Sequence, residues 1–353
     1  MASSLHLHLP SLDDDDPWII EQKYFAIIND CLQPDSQLSA AEAAAGINEL
    51  TPMNREAKGE KAEEPTSFLL EFWGTISKLA RQIPHDHPSQ DKMIEILKEL
   101  QALPVVKVPI SEGGFLLFWS EMPYLTEDWT EYDIGPNARD HPSKFGKWIN
   151  RQAFAARLLQ AGLADLFFLP TWCFMDALEE EPSPRQEYFE CQLRAAVQWI
   201  EYSRDILFHS LDNLPNFRTL RPGSLYAGKG GLSRERWDSW EARLRVLAET
   251  GTLTEETALI CRKAAQQMAE MAATADVSDE AAPAETATAE APPAEVLVDT
   301  ATAEAIVEAA NAEADVEAAT TDAATAEETA GSTTTESPNE CVGKGEKLDT
   351  IDA

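Results

Sequence analysis

The chain has 353 residues and a net charge of -34, with 28 Lys and Arg against 62 Asp and Glu and an isoelectric point of about 4.4. That length allows one large domain or two ordinary ones. The charge excludes a protein that coats nucleic acid, since such proteins displace counterions from phosphate with Lys and Arg, and it disfavours attachment to anionic lipid.

No run approaches the roughly 20 apolar residues that a membrane helix needs. The best, Leu163 to Leu178, is broken by Asp165, Pro170 and Asp176. Met1 to Pro10 lacks the basic flank and apolar stretch of a secretory leader. Cys31, Cys173, Cys191, Cys261 and Cys341 are scattered, odd in number and without CxxC spacing. The expectation is a protein of the cytoplasm or nucleus with buried or idle thiols.

The first fifteen residues are expected to be disordered. Asp16-Pro17 reads as a cap followed by a proline at the first helical position, opening a helix to about Leu32. Ser39 and Glu42 have capping-box spacing and start a short helix to about Leu50. Thr51 to Glu64 is polar and reads as a mobile loop. Leu69, Phe72, Trp73, Ile76, Leu79, Ala80 and Ile83 then mark one apolar stripe at helical period. Pro84 ends that helix, and Pro88 sits near the start of the next, whose buried face is Met93, Ile96, Leu97, Leu100 and Leu103.

Pro104 to Gly135 reads as loops and short helical turns. Phe145, Trp148, Ile149, Ala155, Ala156 and Leu159 restore the helical period, and Gly162 ends it. A helix from about Asp165 to Glu180 is expected to bend at Pro170. A long one runs from Arg185 to about Leu211, with Leu193, Val197, Ile200 and Leu207 inward. Ser233 caps a helix whose Trp237, Trp240, Leu244 and Leu247 share a face. Thr252 and Glu255 have capping-box spacing for a last helix to about Ala272. No segment alternates as a sheet strand does. The expected fold is an all-α, multi-helix globular domain over residues 16–272, either an irregular bundle or a short solenoid.

Near Ala272 the composition changes. Every Trp, Tyr and Phe precedes it; the roughly eighty residues beyond it are mostly Ala, Thr, Glu and Asp, with about twenty acids against Lys344 and Lys347. Fixing a residue costs roughly 1–2 kcal/mol of backbone entropy, which Ala and Thr offset poorly. Residues 273–353 are therefore expected to be a disordered acidic tail, with Ala294 to Ala319 able to form a fraying helix by propensity.

Three blocks of the chain stand out as motifs. The first runs from Trp73-Gly74 to Ala80-Arg81-Gln82-Ile83-Pro84-His85-Asp86-His87-Pro88 and Gln90-Asp91-Lys92. The second is Trp148-Ile149-Asn150 through Ala153-Phe154-Ala155-Ala156-Arg157-Leu158, with Asp176-Ala177-Leu178-Glu179 downstream. The third is Ala195-Ala196-Val197-Gln198-Trp199-Ile200, followed by Gly231-Leu232-Ser233, Arg236-Trp237 and Trp240. Together the blocks, which span roughly residues 65 to 250, resemble a fungal family of uncharacterised proteins, domain of unknown function thirty-six thirty-two, and the first block is the most specific. The resemblance implies an ascomycete source and an intracellular helical domain; it transfers no catalytic residue.

His85-Asp86-His87 invites a metal reading, since imidazole and carboxylate suit zinc or iron. His-x-His in an extended turn sends its rings to opposite sides, and His141 and His209 could join only through the fold. A structural turn, with Asp86 or Ser89 capping the next helix, fits better, so no metal and no cofactor is expected. Gly223 to Lys229 reads G-x-x-x-x-G-K, but Gly230 stands where a phosphate loop needs Ser or Thr, so a connector is expected. There is no GxSxG elbow, and Glu179, Glu180 and Glu181 read as a solvated run.

One region departs from the acidic average. Arg218, Arg221, Lys229, Arg234, Arg236, Arg243 and Arg245 face only Glu235, Asp238 and Glu241, a local excess of about four positive charges. It reads either as a solvated helix face with i,i+4 pairs or as the docking site of an acidic or phosphorylated partner, or of the chain's own tail. Trp73, Trp148, Trp199, Trp237 and Trp240 stand at core spacing, with a pocket lined by them as the lesser alternative. The expected function is a non-enzymatic protein-interaction or scaffold domain with a protein partner and no membrane or nucleic acid. The alternatives are an enzyme or small-molecule-binding protein with a pocket among the helices, and a transcriptional regulator, against which the tail's lack of aromatics weighs.

Overall fold

In the computed structural model the described residues are 3–9, 18–110, 113–131, 135–211, 213 and 221–281, with side chains described to Thr130 in the sixth helix and to Thr274 in the last. Asp16-Pro17, Arg218, Cys341 and residues 282–353, the greater part of the acidic tail, lie outside them.

The described residues form eleven α-helices. They are α1 (Ile19–Leu32), α2 (Ala40–Asn48), α3 (Pro52–Ala57), α4 (Pro65–Gln82), α5 (Ser89–Gln101), α6 (Leu125–Glu131), α7 (Ser143–Gln160), α8 (Phe168–Phe174), α9 (Gln186–His209), α10 (Arg234–Glu249) and α11 (Glu255–Ala281). A hairpin of β1 (Lys107–Pro109) and β2 (Phe115–Leu117) lies between α5 and α6. The domain is all-α, as the helical periodicity predicts.

Local chemistry explains most of the element ends. Ser39 accepts from the N–H of Glu42, and the Glu42 carboxylate accepts from the N–H of Ser39, so the predicted capping box is complete. Gly162, at φ 67°, ends α7: its N–H meets the carbonyl of Leu159, and the N–H of Leu163 meets that of Leu158. That 6→1 and 5→2 pair needs a left-handed residue, which glycine adopts without a Cβ clash. The side chain of Ser233 accepts from the N–H of Arg236 at the start of α10.

Six expectations need correction. The polar stretch 51–64 contains α3, because Pro52 occupies the first helical position, where a missing N–H costs nothing, and Arg55 is buried against the Leu50 carbonyl and the Glu63 carboxylate. The hairpin was missed because three-residue strands are too short to display an alternation. Pro170 does not bend its helix. It lies in the first turn of α8, and the irregularity comes later, as a π-helical turn at Met175–Glu179. The start of α5 is capped by neither Asp86 nor Ser89. The fifth correction concerns α11, which begins at Glu255, two residues later than a cap at Thr252 would place it, and runs to Ala281 rather than to about Ala272. The sixth is the N-terminus: residues 3–9, expected to be disordered, are held to the domain because Gln33 and Gln82 hydrogen-bond the backbone of Leu5 and His8.

At α11 the capping box is completed from another helix. Thr254 Oγ1 accepts from the N–H of Thr257, as an N-cap should, and the N–H of Thr254 donates to Glu190 of α9 at 2.9 Å. Glu190 thus takes the part that the third helical residue plays in a local box. Both threonine hydroxyls also donate to it at 2.6 Å. Burial pushes the Glu190 carboxyl up, but these hydrogen bonds outweigh it and hold the group below the usual glutamate range.

The interior is a large apolar cluster from Tyr24 to Met268 and a smaller one of Phe145, Ile149, Cys191 and Ala195. Its N-terminal part is an aromatic knot of Tyr24, Phe68, Phe72, Trp73, Phe118 and Trp119 with neighbouring centroids 4.9–6.4 Å apart. Trp73 and Trp119 donate their indole N–H groups to the Pro123 carbonyl and the Asn48 side chain, which docks the hairpin region onto the helices. Helix α2 packs on α5, α4 on α7, α7 on α9 and α9 on α11. A solenoid repeat touches only its sequence neighbours, so these pairings make the fold an irregular bundle. Met271 and Ala272 pack against its edge.

Candidate functional site: a cationic cleft between α4 and α7

The basic region of the sequence comes apart in three dimensions. Arg236 is an interior residue: its side chain is 0% exposed and that of Glu179 is 2%. The guanidinium donates through Nε and Nη2 to the two carboxylate oxygens of Glu179 at 2.6 and 2.9 Å, and through Nη1 to the Gly231 carbonyl. Glu179 also accepts from the Trp240 indole at 2.6 Å and from the N–H of Gly223 at 2.8 Å. Four donors therefore saturate one buried carboxylate. The reading of Glu179 as part of a solvated run is wrong, because the π-helical turn rotates it inward.

The remaining basic residues divide. Arg234 pairs with Asp238 and Arg245 with Glu241, each one helical turn away. Arg243 is half-buried, while Arg221 and Lys229 are exposed. The phosphate-loop-like segment is a connector bound to α8's end. Gly223 and Leu225 donate their N–H groups to Glu179, and Ser224 bonds Glu180. A Cβ on Gly223 would stand 2.7 Å from that of Glu179, which is why glycine is needed there.

The histidines have structural partners. His87 Nδ1 accepts from the N–H of Ser89 and Nε2 faces the Ser3 carbonyl at 2.9 Å, an arrangement that fixes the tautomer with the proton on Nε2. His141 does the same at α7, with Nδ1 accepting from the N–H of Ser143. Asp86-His87-Pro88-Ser89 and Asp140-His141-Pro142-Ser143 are the same tetrapeptide, each with a proline at the N-cap position and a histidine supplying the cap from one residue before it. This repeat was legible in the sequence and its spacing alone was the signal. Burial holds the His85 imidazole below its ordinary value, and its backbone carbonyl accepts from Arg157 and Tyr202. Among the described residues no three His, Cys, Asp or Glu side chains are grouped to hold a metal. The thiols of Cys191 and Cys261 are each pushed up to about 12 by burial, and that of Cys173 is raised by the same cause, so they are poor nucleophiles.

Of the five tryptophans at core spacing, Trp73, Trp199, Trp237 and Trp240 are fully buried, and Trp148 is not. Trp148 forms a wall of an open cleft of about 310 Å³ with Arg81, Gly135, Pro136, Asp140, Lys144 and Lys147. Arg81 comes from the last turn of α4 and the two lysines from the first turns of α7. The far wall is a braced loop. Arg185 donates to the carbonyls of Ala138 and Asp140, Asp140 accepts from the N–H of Asn137, and Lys144 reaches Asp140 at 2.6 Å. The Lys144 hydrogen bond, then that of Asn137, hold the Asp140 carboxyl below its usual range. Lys147 is exposed and keeps its charge toward solvent. Periodicity assigned Trp148 to the core, and nothing in the sequence pairs Arg81 with residues more than sixty positions away.

The fold and this cleft define a class: an all-α domain with a buried Arg236–Glu179 pair and an open cleft where three cations stand beside one indole. Residues 73–244 match the family model described as Protein of unknown function (DUF3632), the region in which most of the three sequence blocks lie, and the cleft lies within it. No curated protein and no solved structure matches the chain. Among the described residues no helix is long and apolar enough to cross a membrane.

Proposed function

We propose that the domain is a non-enzymatic protein-interaction module that takes an acidic segment of a partner into the α4–α7 cleft. One observation supports the reading: Arg81, Lys144 and Lys147 line one cleft with Trp148 against a single carboxylate, Asp140, on a loop already fixed by Arg185. Cations at the mouth of a cleft steer and orient an acidic chain, the indole gives apolar area at low entropic cost, and a braced wall loses little freedom on binding.

The test is titration of the full chain with a labelled Glu-rich peptide, followed by anisotropy and by Trp emission at low and moderate salt. Binding should weaken as salt rises, and Lys147→Glu should weaken it about tenfold or more through charge reversal at the rim. Equal affinity of Lys147→Glu and the parent would remove the cleft from consideration.

A further inference from the structure

Residues 3–9, Ser-Ser-Leu-His-Leu-His-Leu, run as an extended segment along the domain surface, separated from α1 by residues 10–17. They are held chiefly by their backbone. Gln33, the residue that closes α1, accepts from the N–H of Leu5 at 3.1 Å and donates to the carbonyl of Leu5 at 3.3 Å. Gln82, the last residue of α4, does the same to His8, at 2.8 and 2.9 Å. His87 Nε2 donates to the Ser3 carbonyl.

In an extended chain the N–H and C=O of one residue share an edge, and successive residues alternate edges. Clamps at Leu5 and His8, three residues apart, therefore grip opposite edges of the same segment. Side chains follow the same period: Leu5, Leu7 and Leu9 are half-buried, while Ser4, His6 and His8 point to solvent. Leu5 and Leu7 pack against the core cluster. The amide clamps read only backbone, so the side-chain requirement is leucine at every second position.

The track does not stop at the segment. An open cavity of about 550 Å³ adjoins Ser4, lined by Leu32, Gln33, Pro34, Pro88, Ser89 and Lys92, among others. It has room for further residues of a bound chain. The groove's positions are fixed by the fold: Gln33 is hydrogen-bonded to Asn29, and Ser89 is tied to the Leu32 carbonyl at 2.5 Å.

We infer that this groove is a second docking site, distinct from the cationic cleft, whose ligand is an extended Leu-x-Leu-x-Leu segment of a partner protein, and that residues 3–9 are its tethered competitor. Main-chain hydrogen bonds hold such a ligand and pockets for alternate side chains select it. Because the resident segment belongs to the same chain, a free ligand competes with an intramolecular contact and gains most when the segment is released.

The probe is a labelled peptide, Ser-Ser-Leu-His-Leu-His-Leu, read by anisotropy against the full chain and against full-length Leu5→Glu/Leu7→Glu, which releases the resident segment. The released chain should bind it at least about tenfold more tightly than the parent, as the loss of a tethered competitor requires. A peptide with Ser at the three Leu positions should not bind, and adding Gln33→Ala and Gln82→Ala should remove most of the affinity. No binding to a released chain with native circular dichroism overturns the proposal, as does equal binding to parent and released chains.

If the released chain does not fold, amide exchange on the parent decides. Excess peptide should speed exchange at Leu5 and His8, and unchanged exchange at millimolar peptide overturns the proposal. A parent chain that is dimeric by light scattering, and monomeric after Leu5→Glu/Leu7→Glu, would assign the groove to a second copy and overturn the partner reading.

Discussion

Two groups of cations in this chain look alike in composition and do opposite things. Around α10 the sequence gathers seven Lys and Arg within 28 positions, yet the most buried of them, Arg236, is locked to Glu179, and Arg234 and Arg245 pair along their own helix. In the α4–α7 cleft Lys144 is likewise paired, with Asp140, but Arg81, more than sixty positions earlier, and Lys147 line the same open space beside Trp148. Density of charge along a chain therefore measures neither exposure nor availability. A buried cation is bound to its counter-charge by the cost of leaving it alone, whereas an exposed one such as Lys147 is screened by water and salt.

Removing the partner of the buried group should have the largest effect. Glu179→Ala leaves Arg236, the Trp240 indole and the Gly223 N–H without their acceptor, and should destabilise the fold by about 3–5 kcal/mol in urea unfolding. A loss under about 1 kcal/mol would mean that Arg236 reaches water and that the contrast between the two groups is false.

Glu190 gives an intermediate case, a buried carboxylate bound to neutral donors. Its folded pKa lies below the usual glutamate range, so its contribution is present above the unfolded value and is lost as pH falls through the folded one. Glu190→Gln should lower stability by about 1–2 kcal/mol at neutral pH and flatten the acid limb of the stability curve. An unchanged acid limb would show that the threonines cap α11 without it.

The repeated tetrapeptide allows a matched pair. His87→Ala should cost about 1–2 kcal/mol, because it leaves the buried Ser89 N–H without its acceptor. His141→Ala, with the same local bond at an exposed site, should cost only about 0.5 kcal/mol. Equal costs would make the tetrapeptide, rather than its burial, responsible. Smallest of all, Lys147→Glu should change unfolding stability by no more than about 0.5 kcal/mol while it weakens acidic-peptide binding. A larger loss of stability would place Lys147 with the structural group.

Much of the fold was legible because it is written in local patterns. The stripe from Leu69 to Ile83 is buried throughout, Ser39 and Ser233 cap where their spacing says, and Gly162 ends α7. These features depend on residues within one or two helical turns. What failed was longer in range or shorter in pattern: the three-residue strands, the six-residue α3, and the cap of α11 borrowed from Glu190, more than sixty positions earlier. The site was less legible than the fold. Trp148 satisfies the helical period of a core residue and packs against Phe145, Ile149, Cys191 and Ala195, yet it is only half-buried and lines an open cleft with Gly135 and Pro136.

By itself, the sequence determined that residues up to about Ala272 build helices around an apolar interior and that the acidic residues beyond hold much of the charge, because periodicity, capping and composition are local or additive. Only the tertiary structure decided which charges count. It turned Glu179 inward to meet Arg236, brought Arg81 beside Lys144 and Lys147, and laid Leu5 and His8 between two glutamine amides. Each is a contact between residues far apart in sequence, fixed by how whole helices pack, and no local pattern encodes that distance.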